Sequence, residues 1–144
     1  AKKLRAKRTG KNATIFSIEK ISLICYIECM KWIIDFYKTK SGQCPVKKYL
    51  QGLNPKNRAT ILEAMEYLET FGIDLKEPFV KYLDNKIFEL RAKDSDGIYR
   101  ILYFTASGHR FIMLHGFTKK TKKTPKKEKE IALKRKKEFL NERL

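Results

Sequence analysis

The pattern of the chain predicts an α+β domain in which helices pack on one face of a small antiparallel sheet. Three observations carry that prediction. Residues 86–92, 98–106 and 110–117 are apolar-rich segments of strand type. The joints between them, 94–97 and 107–109, are too short for a parallel return, which needs about a dozen residues or more, so the segments form a meander of hairpins. Two helical stretches precede this meander and one follows it.

The elements come in order from local chemistry. Residues 31–37 (KWIIDFY) are aromatic and β-branched, the profile of a first strand that joins the sheet. Ser41 and Gly42 break it, and Pro45 opens a short helix through Val46, Tyr49 and Leu50 that Gly52 ends. Asn54 followed by Pro55 is a cap acceptor and then a proline at the first helical position. This second helix should run to about Phe71, packing through Ile61, Leu62, Met65 and Leu68, with Gly72 as its stop. A loop containing Pro78 leads into the three strands. Pro125 then starts a last helix that reaches about Asn141, with Ala132, Leu133, Phe139 and Leu140 as an imperfect apolar face among lysines and arginines. The expected whole is a small antiparallel sheet with two N-terminal helices and a C-terminal helix.

With 144 residues the chain has room for one domain and a single modest core. Its 42% hydrophobic and 12% aromatic content excludes a disordered chain. A basic stretch (Lys2, Lys3, Arg5, Lys7, Arg8, Lys11) precedes an apolar segment at 15–27, loosely like a signal peptide. Glu19 and Lys20 interrupt that segment, and no small-residue cleavage site follows it. We read residues 1–29 as a basic extension that need not belong to the native domain, and 30–144 as the functional domain, beginning near Met30. No apolar run approaches the roughly 18–20 residues a bilayer span needs. Cys25, Cys29 and Cys44 are an odd number, and neither His109 nor His115 is close enough in sequence to complete a zinc set. We expect reduced thiols in a cytoplasmic protein with no metal, no small-molecule cofactor and no membrane association.

The formal charge is +17, from 33 Lys and Arg against 16 Asp and Glu. Such an excess attracts polyanions, so nucleic acid is the leading partner class, ahead of a ribosomal surface, an anionic membrane or an acidic protein. The charge is uneven: residues 118–144 hold 12 basic and 4 acidic side chains, a net of +8. Segment 119–127 (KKTKKTPKK) is basic at six of nine positions. It reads either as a solvated tail or as lysines projected from the strand that Gly116 and Phe117 end. Arg91 and Arg100 lie in strands otherwise full of apolar residues. Alternation puts Ile87, Glu89 and Arg91 on one face of their strand, and Ile98, Arg100, Leu102 and Phe104 on one face of the next. In a hairpin both arginines fall near the turn and can present planar donor forks to phosphate. The other reading pairs them with Glu89, Asp94 or Asp96. Tyr99, Tyr103 and His115 are less specific.

The run FELRAKDSDGIYRILYF, then LHGFTKKTKKTP and a basic terminal helix, resembles the Gp49-like branch of the RelE/HigB toxins. The opening WIIDFYKTKSGQCPVKKYLQGL resembles it too, so the similarity runs from Met30 to about Phe139. The resemblance implies a RelE-like microbial-RNase fold, ribosome-dependent cleavage of mRNA, and neutralisation by a small helix-turn-helix antitoxin. It implies charge stabilisation by the strand arginines Arg91 and Arg100, and it maps the family's post-strand lysines to Lys119, Lys120 and Lys122. Tyr99, His115, Lys123, Lys126 and Lys127 are the expected RNA contacts. The reaction this leads us to expect is attack of a ribose 2′-hydroxyl on the adjacent phosphate, which needs no metal. Crowding among the lysines lowers their proton affinity, so one of them becomes the candidate proton carrier. No histidine pair is present for that task, and His115 has no evident titrating partner. Two other functions fit the same residues: a toxin of this fold that inhibits DNA gyrase, and a non-enzymatic RNA- or ribosome-binding protein.

Overall fold

The computed structural model describes residues 22–23, 31–119 and 123–142. The chain divides into two compact units, Ala1–Lys31 and Trp32–Leu144. In the first, Ser22 and Leu23 are helical and exposed. The expected boundary near Met30 and the expectation for Cys25 and Cys29 lie outside the described residues.

The second unit runs β1 (Ile33–Phe36), α1 (Pro45–Gln51), α2 (Pro55–Phe71), a 3-10 turn (Gly72–Asp74), β2 (Val80–Tyr82), β3 (Phe88–Lys93), β4 (Ile98–Ala106), β5 (Arg110–Lys119) and α3 (Lys126–Asn141). The sheet order is β1-β5-β4-β3-β2. The expected meander is present as β3-β4-β5, antiparallel throughout, and β1 adds in parallel to β5. β2 is an addition to the expected pattern. It has three residues directly after the Pro78 loop and pairs with β3 at the sheet edge, too short for a period of two to show.

Helix ends follow the caps. Asn54 Oδ1 accepts from the Asn57 N–H at 2.9 Å at the start of α2, and Gly72 ends that helix at φ +56°. One assignment on α2 changes: Leu62 is 44% exposed, and the packing row is Ile61, Ala64, Met65 and Leu68. A row spaced 3-1-3 turns the buried stripe one position away from Leu62.

Helices cover both faces of the sheet rather than one, because adjacent residues of the strands face opposite sides and both sets are apolar. On one face α1 and α2 bury Val46, Leu50, Ile61 and Leu68 against Leu90, Tyr99, Ile101, Tyr103, Phe111 and Met113. On the other, Ala132 of α3 packs with Ile87, Leu102, Phe104, Ile112, Leu114 and Phe117. Each fully buried aliphatic side chain contributes about 1.5–3 kcal/mol, so the two α1–α2 helices, with far more such residues, are anchored much more strongly than α3.

A bulge refines the strand that leads to the basic segment. The β4–β5 register shifts between Leu102↔His115 and Tyr103↔Met113, leaving Leu114 unopposed. Leu114 and His115 therefore both come to the α3 side. The next residue, Gly116, lies under Tyr49, and a Cβ there would meet the ring at 2.4 Å. Tyr49 spans the strand end from α1, its hydroxyl 2.6 Å from Thr118 Oγ1.

Candidate nucleic-acid interface

On the α3 side of the sheet the registers build three cross-strand rows. They are Glu89–Leu102–His115, Arg91–Arg100–Phe117 and Lys93–Ile98–Lys119. Lys81 of β2 stands opposite Glu89. The leading end of α3 crosses the first two rows, and among the described residues no helix crosses the third. A groove of about 590 Å³ opens there, floored by Arg100, crossed by Arg91, Lys93 and Ile98, and walled by Glu77, Pro78, Phe79 and Lys81.

Glu89 holds the floor together. Its side chain is 0% exposed and lies 2.7 Å from Arg91 Nε and 3.7 Å from Arg100 Nη1. Thr124, just before α3, donates to Glu89 Oε2 and accepts from Arg100 Nη1 at 3.2 Å. One buried carboxylate thus stands between two guanidinium groups, leaving one net positive charge in this cluster. Arg91 commits its Nε donor to Glu89, and its side chain remains 26% exposed toward the groove.

The expected residues separate by this geometry. Arg91 and Arg100 are direct cross-strand partners on one face, as the alternation predicts. Arg100, however, is 1% exposed and does not present its guanidinium at the surface. The α3 segment covers it, and the carboxylate pairing weighed as the other reading holds it. Tyr99 points to the opposite face, where it is buried, and its hydroxyl donates to Asp94 Oδ1 at 3.0 Å. Burial, then that carboxylate, push its pKa up to about 12. It is not brought together with the arginines. Lys119 is the last residue of β5, opposite Ile98, while Lys120 and Lys122 lie outside the described residues. Lys123, Lys126 and Lys127 are exposed and lie within three residues of Thr124, hence within about 11 Å of chain from the groove floor.

His115 does have a titrating partner. Its Nε2 meets Glu128 Oε2, and its Nδ1 lies 3.1 Å from Arg135 Nη1. Arg135 also donates to the Leu114 carbonyl at 2.9 Å. An arginine can only donate, so Nδ1 accepts and Nε2 carries the hydrogen toward Glu128. Both ring nitrogens are therefore occupied in seating α3. Burial holds the His115 pKa below 6.5, against the pull of Glu128 and with the help of Arg135. The unfolded chain consequently takes up this proton first as pH falls. The stability tied to neutral His115 is complete above about pH 6.5 and drains away as pH falls toward the folded value. We expect the denaturant midpoint to drop as pH falls below about 6.5, less steeply in His115→Gln. Equal slopes in the two proteins would remove the assignment.

Sequence reasoning missed Lys81, Lys93, Thr124, Glu128 and Arg135. Lys93 was within reach, since it continues the alternation Glu89, Arg91 by two. Lys81 was hidden with β2, and the other three depend on where α3 docks.

The model of the family described as phage-derived protein Gp49-like (DUF891) matches residues 48–137, well over half of the chain. No curated protein matches the chain. Among the described residues no helix is long and apolar enough to cross a membrane. The matched stretch runs from within α1 into α3 and so contains every strand from β2 to β5, the groove and its Glu89 floor. The chain belongs to the Gp49-like family of phage-derived proteins, a family associated with the toxins of toxin–antitoxin systems.

Proposed function

We propose that this protein is a RelE/HigB-type toxin that cuts mRNA on the ribosome and is silenced by a helix-turn-helix antitoxin. The observation that carries this reading is the groove in which Lys81, Arg91 and Lys93 outnumber Glu77 at one end of the sheet, with Lys119 ending β5 in the same row as Lys93. Strands are about 4.8 Å apart, so Lys93 and Lys119, two strands away from one another, flank a gap of about 10 Å. That gap suits one phosphodiester.

In the reaction the 2′-hydroxyl loses its proton and its oxygen bonds to the adjacent phosphorus. The bond from phosphorus to the 5′-oxygen breaks, and that oxygen takes up a proton. The products are a 2′,3′-cyclic phosphate and a free 5′-hydroxyl. Arg91 offers its remaining donors to the phosphate oxygens as charge builds on them. Arg100 works from beneath as a positioning residue: with Thr124 it holds Glu89, and Glu89 holds Arg91 Nε. Lys119, Lys120 and Lys122 are the candidates for moving protons. The ribosome supplies part of the geometry by holding the mRNA in place.

A binding protein without nuclease activity is the second reading. It is favoured by the burial of Arg100, one of the two arginines on which the cleavage scheme first drew, and by the seating of His115, an expected RNA contact, against Glu128 and Arg135. Mapping of transcript 5′ ends after expression separates the two. New ends within translated messages are expected from the wild type, and Arg91→Ala should reduce them by roughly a hundredfold or more. RNA binding with no new ends would establish the second reading, and lost supercoiling activity in their place would indicate gyrase as target.

A further inference from the structure

Phe79 is 40% exposed in a groove that gathers Lys81, Arg91, Lys93 and Arg100 beside a single carboxylate, Glu77. It is also held in place. Its carbonyl accepts from the Arg91 N–H at 2.7 Å, which makes it the cross-strand neighbour of Arg91 in continuation of the Val80↔Leu90 register. Pro78 precedes it and restricts the backbone on that side. The ring leans on Tyr67 with centroids 5.6 Å apart and 58° between planes. It forms part of the groove wall together with Lys81, Arg91 and Lys93.

A flat apolar ring one residue pair away from a guanidinium, with lysines on either side, fits a ligand that carries a planar group and an anion a short bond path apart. An unpaired nucleotide has that composition. From this geometry we infer that Phe79 is the stacking platform for one unpaired base of the bound RNA, whose own phosphate rests on Arg91 and Lys93. The inference rests on the reading of the groove as an RNA site and adds to it the element that reads single-strandedness. Stacking tolerates every base because each has a π face, so Phe79 selects unpaired over paired RNA rather than one sequence over another.

The test uses the full chain and a single-stranded hexaribonucleotide carrying one 2-aminopurine, beside the same oligonucleotide made abasic at that position. Wild type should quench the 2-aminopurine on binding. Phe79→Ala should bind the intact hexamer roughly five- to a hundredfold more weakly, and Phe79→Trp should restore both affinity and quenching. The abasic hexamer should bind wild type and Phe79→Ala equally. Melting curves accompany each variant, and Phe79→Leu, which keeps apolar volume but removes the ring face, replaces Phe79→Ala if the latter unfolds early. Binding that is weakened by Lys93→Ala but is indifferent to Phe79 and to the missing base overturns the platform and leaves the RNA groove intact. Absence of binding by the wild type, or binding indifferent to Lys93 as well, overturns both.

Discussion

Glu89→Ala is expected to cost about 3–5 kcal/mol of folding stability, the range for removing one partner of a buried ion pair. The carboxylate is 0% exposed, accepts from Arg91 and Thr124, and pairs with Arg100 at 3.7 Å. Without it, the guanidinium of Arg100 stays 1% exposed beside Arg91, its cross-strand neighbour, with no carboxylate between the two charges. Arg100→Ala should cost a similar amount for the reciprocal reason, leaving Glu89 buried and charged. The pair Glu89→Leu with Arg100→Met should cost much less than the two single losses combined, because no buried charge is then stranded. Urea or guanidinium titrations of the four proteins measure this directly. A Glu89→Ala protein within 1 kcal/mol of wild type would show that the cluster does not anchor α3. The expectation also bears on the proposed function, since a loss of the proposed nuclease activity in Arg100→Ala would report unfolding as readily as a missing charge. Arg91, partly exposed and at the groove, is the cleaner probe.

Gly72→Ala should be comparably damaging, at about 2–6 kcal/mol, from two additive causes. The position has φ +56° and ψ −130°, outside the left-handed helical well, and holding a residue with a Cβ in so sparsely populated a region costs about 1–3 kcal/mol. A Cβ built there would also fall 2.0 Å from Trp32 Nε1, and overpacking of this kind costs about 1–3 kcal/mol. The indole has little room to retreat. It stacks on Phe111 at 4.6 Å and 16°, its edge meets His109 at 4.6 Å, and its backbone N–H donates to the Glu69 carbonyl at 2.9 Å. Trp32→Phe in the Gly72→Ala background should recover part of the loss, a non-additivity that a double-mutant cycle isolates. Trp32 is the single tryptophan of the chain, so its fluorescence reports the disturbance as well as the stability. An unshifted melting temperature in Gly72→Ala would refute the close approach.

The fold was legible where chemistry acts over a few residues. Asn54 and Pro55 start α2 and Gly72 stops it, all through contacts within one helical turn. The three long strands show their period of two, and the short joints impose antiparallel pairing. Alternation also placed Glu89, Arg91 and Arg100 on one face. What failed was of two kinds. β2 is too short to carry a period, so Lys81 and Phe79 never entered the candidate site. The bulge at Leu114 breaks alternation inside β5, so the orientation of His115 was not available from counting by twos.

The candidate site was legible as a composition, and its exposure was not. The sequence by itself determined that Arg91 and Arg100 share a sheet face, because that follows from the period of two in two long strands. Whether a given arginine meets solvent or lies under a helix was decided only by tertiary structure. Thr124 reaches Glu89 across 35 residues and Arg100 across 24, and Glu128 and Arg135 reach His115 from the same helix. These contacts exist because a weakly apolar α3 secures itself on the sheet by polar bonds. Burial of a charge is a property of what covers it, and the covering segment is encoded far from the residue it covers.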